Sequence, residues 1–383
     1  MIILGIIAGN FFNFISPITL ETILPFIFTL SILILLLESG LETQIFDLVQ
    51  DVKEASIFTF IVLLITSLLT GAFMHFVIGW NILPSLLLGV ICSGTSTLPV
   101  VYFTGRMNVN EKVKTLLVYE SILNDVTLLT GVTLILQAIT MQINIGYTLV
   151  HFFRHIFLGL IYGSISSIIW SLILVKAFRR VQLRYISTLS ILLILYSITE
   201  IEHASGVIAV LAFSIILGGI NEILDNSGLF HEEKIIILKP LKDQLKDILG
   251  MQREVSFVVK NLFFLVLGIM FDLNSLNVEL VLISFFLMII MAISRILSVG
   301  LISLQDRKYW NDVMIIALML PRGVTASLAV FMPLEYGLKI PMLKEIIVVL
   351  IMVTTFTSTI GFMIINRESR KQDQRILKNI PLS

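Results

Sequence analysis

The chain has 383 residues, of which 57% are apolar or aromatic and only 14% are Asp, Glu, Lys or Arg. Soluble domains average about 45–50% apolar and about 25% charged, so a water-soluble enzyme, a disordered chain and a coiled coil are excluded. The formal net charge is 0 and Cys92 is the one cysteine, so the composition points to no nucleic-acid partner and allows no disulfide within the chain.

An apolar helix needs about 20 residues to cross the hydrocarbon core. By that measure a short apolar piece, Met1 to Gly9, precedes spans near 22–41, 56–79, 82–104, 113–137, 147–176, 183–200, 204–220, 255–272, 277–304, 310–333 and 343–366. The expected fold is all-α: a polytopic membrane protein of about twelve segments, forming one transmembrane domain over residues 1–383. The runs are continuous rather than alternating, which excludes a β-barrel. Met1 to Gly9 has no basic n-region and no clear cleavage site, and is not read as a signal peptide. Residues 221–254 mix Leu and Ile with Lys, Asp and Glu and are read as a cytoplasmic amphipathic connection, a short helix lying near the interface. Residues 367–383 are read as a short cytoplasmic tail.

Lys and Arg set the orientation. Twenty of the 26 lie in the even-numbered connections and the tail, and the odd-numbered connections hold only Lys339 and Lys344. This count puts the even connections, Met1 and the C-terminus on the cytoplasmic side of a cell membrane.

Charge inside a span costs at least about 2.5–3.5 kcal/mol and survives only if paired or useful. The span at 113–137 contains Glu120-Ser-Ile-Leu-Asn-Asp125. Helical spacing places Glu120 and Asn124 on one face, and Ser121 and Asp125 on the next. A small hard cation prefers oxygen ligands, and Asp125 with Ser121 supplies them. A carboxylate that takes either a cation or a proton gives exchange by competition. The alternative, interhelical ion pairing alone, suits Glu120 better, with Arg295 or Arg322 as its partner.

Two spans are interrupted. Gly89-Val-Ile-Cys-Ser-Gly-Thr-Ser-Thr-Leu-Pro99 is a poor continuous helix, and Pro99 is expected to break it. Leu320-Pro-Arg-Gly-Val-Thr-Ala326 is broken similarly. Interrupted spans in the two halves of a chain point to an alternating-access transporter, with freed carbonyls available to a cation. Glu38 and Glu42 follow the apolar run Leu30 to Leu37, Glu38 being the deeper. Arg154 is read as snorkelling at the outer interface, and Lys260 is placed one turn into its span, where it could do the same. His75 and His203 are read as interfacial. No phosphate-binding loop, dinucleotide, haem or zinc pattern is present in the sequence, so neither ATP nor a bound cofactor is expected, and the chain is read as a transporter rather than an enzyme.

These residues resemble those of the NhaP-like sodium/proton exchangers of the cation:proton antiporter-1 family. Glu120-Ser-Ile-Leu-Asn-Asp125 matches the family's glutamate-serine-x-x-asparagine-aspartate run. Leu37-Glu-Ser-Gly-Leu-Glu42 looks like its acidic-glycine-leucine motif. Glu254 through Phe263-Phe-Leu-Val-Leu-Gly268 is similar to its glutamate, double-phenylalanine and glycine stretch, and Pro321-Arg-Gly323 falls in the expected late broken helix. Ser205-Gly206 adds weaker support.

The resemblance implies an inverted-repeat antiporter fold with two crossing interrupted helices, a core domain moving against a dimerisation domain, and a homodimer. It implies Asp125 as the cation and proton site, with Ser121, the Thr95 carbonyl and Glu38 as further ligands of a transported Na⁺. Asn124 would mark an electroneutral exchanger, and Glu120, paired with Arg295 in preference to Arg322, would hold Asn124 in place. The chain departs from the family in two ways. Ser96 stands where the family usually has an aspartate, and the family's first span is missing. The expected activity is Na⁺ or Li⁺ exchange for H⁺. A K⁺/H⁺ antiporter, a degenerate non-transporting sensor or paralogue, and a channel are the other readings.

Overall fold

The computed structural model describes residues 1–12, 17–42, 45–107, 109–141, 145–177, 181–202, 204–226, 232–304 and 306–378. Among them there is no β-strand. The helices in order are α1 (Ile2–Phe12), α2 (Pro17–Glu42), α3 (Ile45–Phe76), α4 (Ile82–Ser93), α5 (Thr97–Thr104), α6 (Glu111–Met141), α7 (Ile145–Ala177) and α8 (Val181–Ile201). They continue with α9 (Gly206–Asn226), α10 (Glu232–Ile269), α11 (Val278–Ile302), α12 (Lys308–Asn311), α13 (Val313–Leu318), α14 (Val324–Ala329), α15 (Met332–Glu335) and α16 (Leu343–Lys378).

Lipid offers backbone amides no partner, and a helix satisfies them residue by residue. Hydroxyls follow the same logic. Thr59, Ser284 and Ser298 each donate to the carbonyl four residues back, at 2.8, 2.9 and 2.7 Å. Seven stretches among the described residues are long and apolar enough to cross a membrane: Lys53–Phe76, Ile82–Thr104, Glu111–Thr140, Arg154–Leu174, Leu183–Ile201, Val278–Ile302 and Leu343–Arg367. Shorter apolar helices run over Ile2–Phe11, Phe26–Leu41, Gly206–Gly219 and Val324–Leu334. The chain is a multi-pass membrane protein.

Three stretches differ from the sequence reading. The expected connection over 221–254 is not a separate helix. Its residues 227–231 lie outside the described residues, and Glu232 starts a helix that runs unbroken to Ile269. The expected tail continues α16 as helix to Lys378, and residues 379–383 lie outside the described residues. The expected span over 310–333 carries the expected break, between α13 and α14, and further ones that the sequence reading did not give, which set off α12 and α15.

Packing divides the chain into two compact units. One comprises Met1–Lys53, Leu129–Asp272 and Phe331–Lys339, and the other Glu54–Leu128, Leu273–Val330 and Ile340–Ser383. In the first unit α9 packs on α2 and α7, and α10 on α1 and α2. Small residues allow this close approach, as expected where apolar burial alone does not drive helices together. A Cβ on Gly40 of α2 would lie 2.8 Å from the Ile215 amide nitrogen of α9. A buried polar network joins three helices of this unit. Tyr185 Oη donates to Gln252 Oε1 at 2.9 Å, and Gln252 Nε2 donates to the Ile34 carbonyl at 2.5 Å and to Ser256 Oγ at 2.8 Å.

The second unit has its own apolar core. Phe58, Val62, Val100, Val113, Leu117, Val299, Ile316, Met319 and Phe362 are all buried in it. Phe103 stacks on Phe362 with ring centroids 3.9 Å apart. This core surrounds the two helix breaks.

Candidate functional site

The first break lies at Gly94-Thr95-Ser96, between α4 and α5. Gly94 and Ser96 are extended, with φ/ψ of −68/141° and −79/128°. Gly and Thr are weak helix formers, and the partners described below replace the helical bonds that are lost. Pro99 is not the cause. It sits in the first turn of α5, where an N–H would have no helical partner anyway. The sequence reading expected the interruption in this Ser-Gly-Thr run, with Thr95 unwound, and it lies there; only the part given to Pro99 differs.

The second break, Met319 to Gly323, separates α13 from α14. Here proline does act, because the residue before Pro321 is disfavoured in the helical region. The two breaks meet. Ser96 donates its backbone N–H to the Pro321 carbonyl at 2.9 Å, and a Cβ on Gly323 would lie 3.3 Å from Ser96 Oγ. The interrupted helices therefore cross at their unwound segments.

Each arginine serves the C-terminal end of one half-helix, where carbonyls lack partners and the helix dipole is negative. Arg322 Nη1 donates to the Gly94 carbonyl at the end of α4. Arg295 Nε, from α11, donates to the Ile316 carbonyl of α13 at 2.7 Å. Arg295 also forms a two-pronged ion pair with Glu120 of α6. Nη1 reaches Oε1 and Nη2 reaches Oε2, both at 3.1 Å. Arg295 is 1% exposed and Glu120 0%, so water screens little of their attraction. Of the two arginines the sequence offered Glu120, the structure joins it to Arg295.

Thr95 is built into the same cluster. Its hydroxyl donates to Glu120 Oε1 and accepts from Arg295 Nη1, each at 2.9 Å. Asn124 Nδ2 points at two acceptors, the Thr95 carbonyl and Glu120 Oε1, both at 3.4 Å. Those neighbours fix the orientation of the amide and leave Asn124 Oδ1 buried with no hydrogen-bond partner among the described residues. Ser121 is buried and donates to the Val118 carbonyl at 2.8 Å, keeping its oxygen lone pairs. Asp125 follows Asn124 on α6, half-buried and itself engaged. One unit thus brings together Thr95, Ser96, Glu120, Ser121, Asn124, Asp125, Arg295 and Arg322.

Glu38 belongs to the other unit. Its carboxylate pairs with Lys260 across α2 and α10, Oε2 to Nζ at 2.5 Å, with side chains 15% and 20% exposed. Lys260 therefore does not snorkel, as the sequence suggested. It neutralises Glu38. The signal was legible, since a lone acid in one apolar run and a lone base in another are each too costly to stand alone. His75 Nδ1 lies 2.7 Å from the Trp80 carbonyl, and His203 lies outside the described residues. Among the described residues no three His, Cys, Asp or Glu side chains cluster as a resident metal site would need.

The fold has solved counterparts. The sodium proton antiporter MjNhaP1 from Methanocaldococcus jannaschii at pH 8 superposes with a TM-score of 0.76 at 19% identity, over 96% of this chain and 89% of that one. The same antiporter determined by electron microscopy gives 0.71 at 19% identity, over 99% and 91%. At such identity the likeness establishes the fold, an antiporter fold of the NhaP type. No curated protein matches the chain. Residues 1–366 match the family described as the transmembrane sodium/hydrogen exchanger, a family of secondary transporters rather than enzymes. By that match over nearly its whole length, the chain belongs to the sodium/hydrogen exchanger family and is a cation/proton antiporter.

Proposed function

We propose that the chain exchanges Na⁺, or Li⁺, for H⁺ one for one, and that Asp125 binds either the cation or the proton. Ser121 and the Thr95 carbonyl are the other oxygen ligands. The observation that carries this reading is the Asn124 amide. It is oriented by Thr95 and Glu120 and, among the described residues, leaves one buried oxygen unpartnered on the residue that precedes Asp125. An orphan acceptor in a buried site costs about 1–3 kcal/mol, and a cation would recover it. A carboxylate holding one proton or one monovalent cation returns the same charge in either direction. The site opens to the two sides in turn, in a cytoplasmic membrane with the C-terminus inside, and the working protein is a homodimer.

The test is the collapse of a preset pH gradient on Na⁺ addition to proteoliposomes. The native chain responds and Asp125→Asn, extracted as a folded protein, does not. A response retained in that variant overturns the assignment. Li⁺ and K⁺ in the same assay rank the cations, because ligand type alone does not separate them. A folded native chain with no response to any of the three favours a degenerate paralogue, and conductance without proton coupling a channel.

A further inference from the structure

We propose that a chloride-sized monovalent anion binds at the break between α4 and α5, held by the Arg322 guanidinium, the Ser96 hydroxyl and the first amides of α5. Arg322 is 4% exposed. Its bond to the Gly94 carbonyl aims the guanidinium at the break, and Nε is buried with no hydrogen-bond partner among the described residues. Among the described residues it makes no ion pair, whereas Arg295, equally buried, has both carboxylate oxygens of Glu120. Glu120 already accepts from Arg295, Thr95 and Asn124, so it is committed elsewhere. A buried cation is retained when a counter-charge accompanies it. The α4 carbonyl end supplies only a partial one.

Around the break Asn124 Oδ1 is an unpartnered acceptor, and the other unsatisfied groups are donors. Ser96 caps α5 without any side-chain capping bond, and its hydroxyl makes no hydrogen bond among the described residues. The N–H groups of Thr97 and Leu98 open α5, an eight-residue helix, and have no intrahelical acceptor. Pro99 contributes none. Ser96 is tied to Pro321 and touches Gly323, the two chain neighbours of Arg322, so these donors share one place. A guanidinium, a hydroxyl and a helix N-terminus together select an anion. Turning Nε toward the orphan Asn124 oxygen would satisfy a hydrogen bond and leave the charge. The tight Ser96–Gly323 contact favours a monatomic ion over phosphate or a carboxylate. On the reading of Asp125 given above, its charge is cancelled whether it holds a proton or a cation, so both loaded states leave Arg322 in need of the anion. The lack of a partner for Nε does not depend on that reading.

The experiment is thermal unfolding of the purified chain as sodium gluconate is replaced by sodium chloride at constant ionic strength. The native protein gains about 3 °C or more in a saturable way, and its exchange rate falls several-fold in gluconate. Ser96→Asn keeps the chloride response. Ser96→Asp, which tethers a carboxylate at the same place, loses the response and melts alike in both salts. A native melting point indifferent to chloride overturns the proposal, as does a chloride response retained in Ser96→Asp. Melting is read without transport, so a chain that fails to exchange Na⁺ still gives an answer.

Discussion

Ser96 and Pro321 are joined through their backbones, the amide of one to the carbonyl of the other. The two broken helices are therefore fastened at the level of main chain, and side chains fill in around that tie. Lost helical bonds at this depth need buried partners, and here each break supplies one to the other. The polar residues around the crossing depend on this frame for their positions.

The pair at its centre gives a first expectation. Glu120→Gln leaves the fully buried Arg295 with a neutral partner and costs about 3–5 kcal/mol. The melting temperature in detergent should drop accordingly. Glu120→Gln combined with Arg295→Met should recover part of the loss. A single variant with native melting but no exchange would instead place Glu120 in transport.

In the other unit, Lys260→Met strands Glu38, whose side chain is 15% exposed. The expected loss is about 1–3 kcal/mol, with Glu38→Gln/Lys260→Met closer to native than the single change. Urea or thermal melts of these two variants and of Glu38→Gln form the cycle that isolates the pair.

Close packing of α2 on α9 gives a third. Gly40→Val pushes a side chain into the backbone of Ser214 and Ile215, and overpacking of this kind costs about 1–3 kcal/mol. The yield of monodisperse protein and its melting temperature should both fall. Gly250→Ala is the control, because nothing lies within 4 Å of its added Cβ.

A pH effect follows from Asp306, between α11 and α12 and outside the apolar spans. The backbone N–H of Lys308 holds its carboxyl below the ordinary value of 3.8, with the Lys112 ammonium at 3.2 Å assisting. A depressed folded-state value means that the contribution is complete above the ordinary value and is lost as pH falls through the depressed one. Below about pH 3.8 the native melting temperature should fall with pH more steeply than that of Asp306→Asn. The group is exposed, so the difference is small. Equal slopes would remove Asp306 from the account.

The sequence made the broad design legible because lipid imposes it. Apolar runs of sufficient length, the Glu120 to Asp125 run and the two interruptions all follow from the cost of polar groups in hydrocarbon. Contacts between distant residues were less accessible. Nothing in the spacing of Lys260 specifies Glu38, more than two hundred positions away, nor does the sequence say which arginine Glu120 takes. The place of the first break was legible in the Ser-Gly-Thr run, but the role of Pro99 was not, because a proline reads as a breaker until the helix start is located and here it stands in the first turn of α5. The continuity of α10 was hidden by composition. Lys, Asp and Glu read as a short separate amphipathic helix, and nothing between it and the apolar run marks that the two are one helix.

That continuity has a mechanical consequence. Lys246 is exposed on the charged half of α10 and Lys260 faces Glu38 on the apolar half. Fourteen residues of unbroken helix separate them, roughly 21 Å along the axis. A helix of this kind behaves as an axle, so torque applied at the wet end arrives at the buried ammonium as rotation. The Glu38–Lys260 pair therefore resists twisting of α10 as well as neutralising charge.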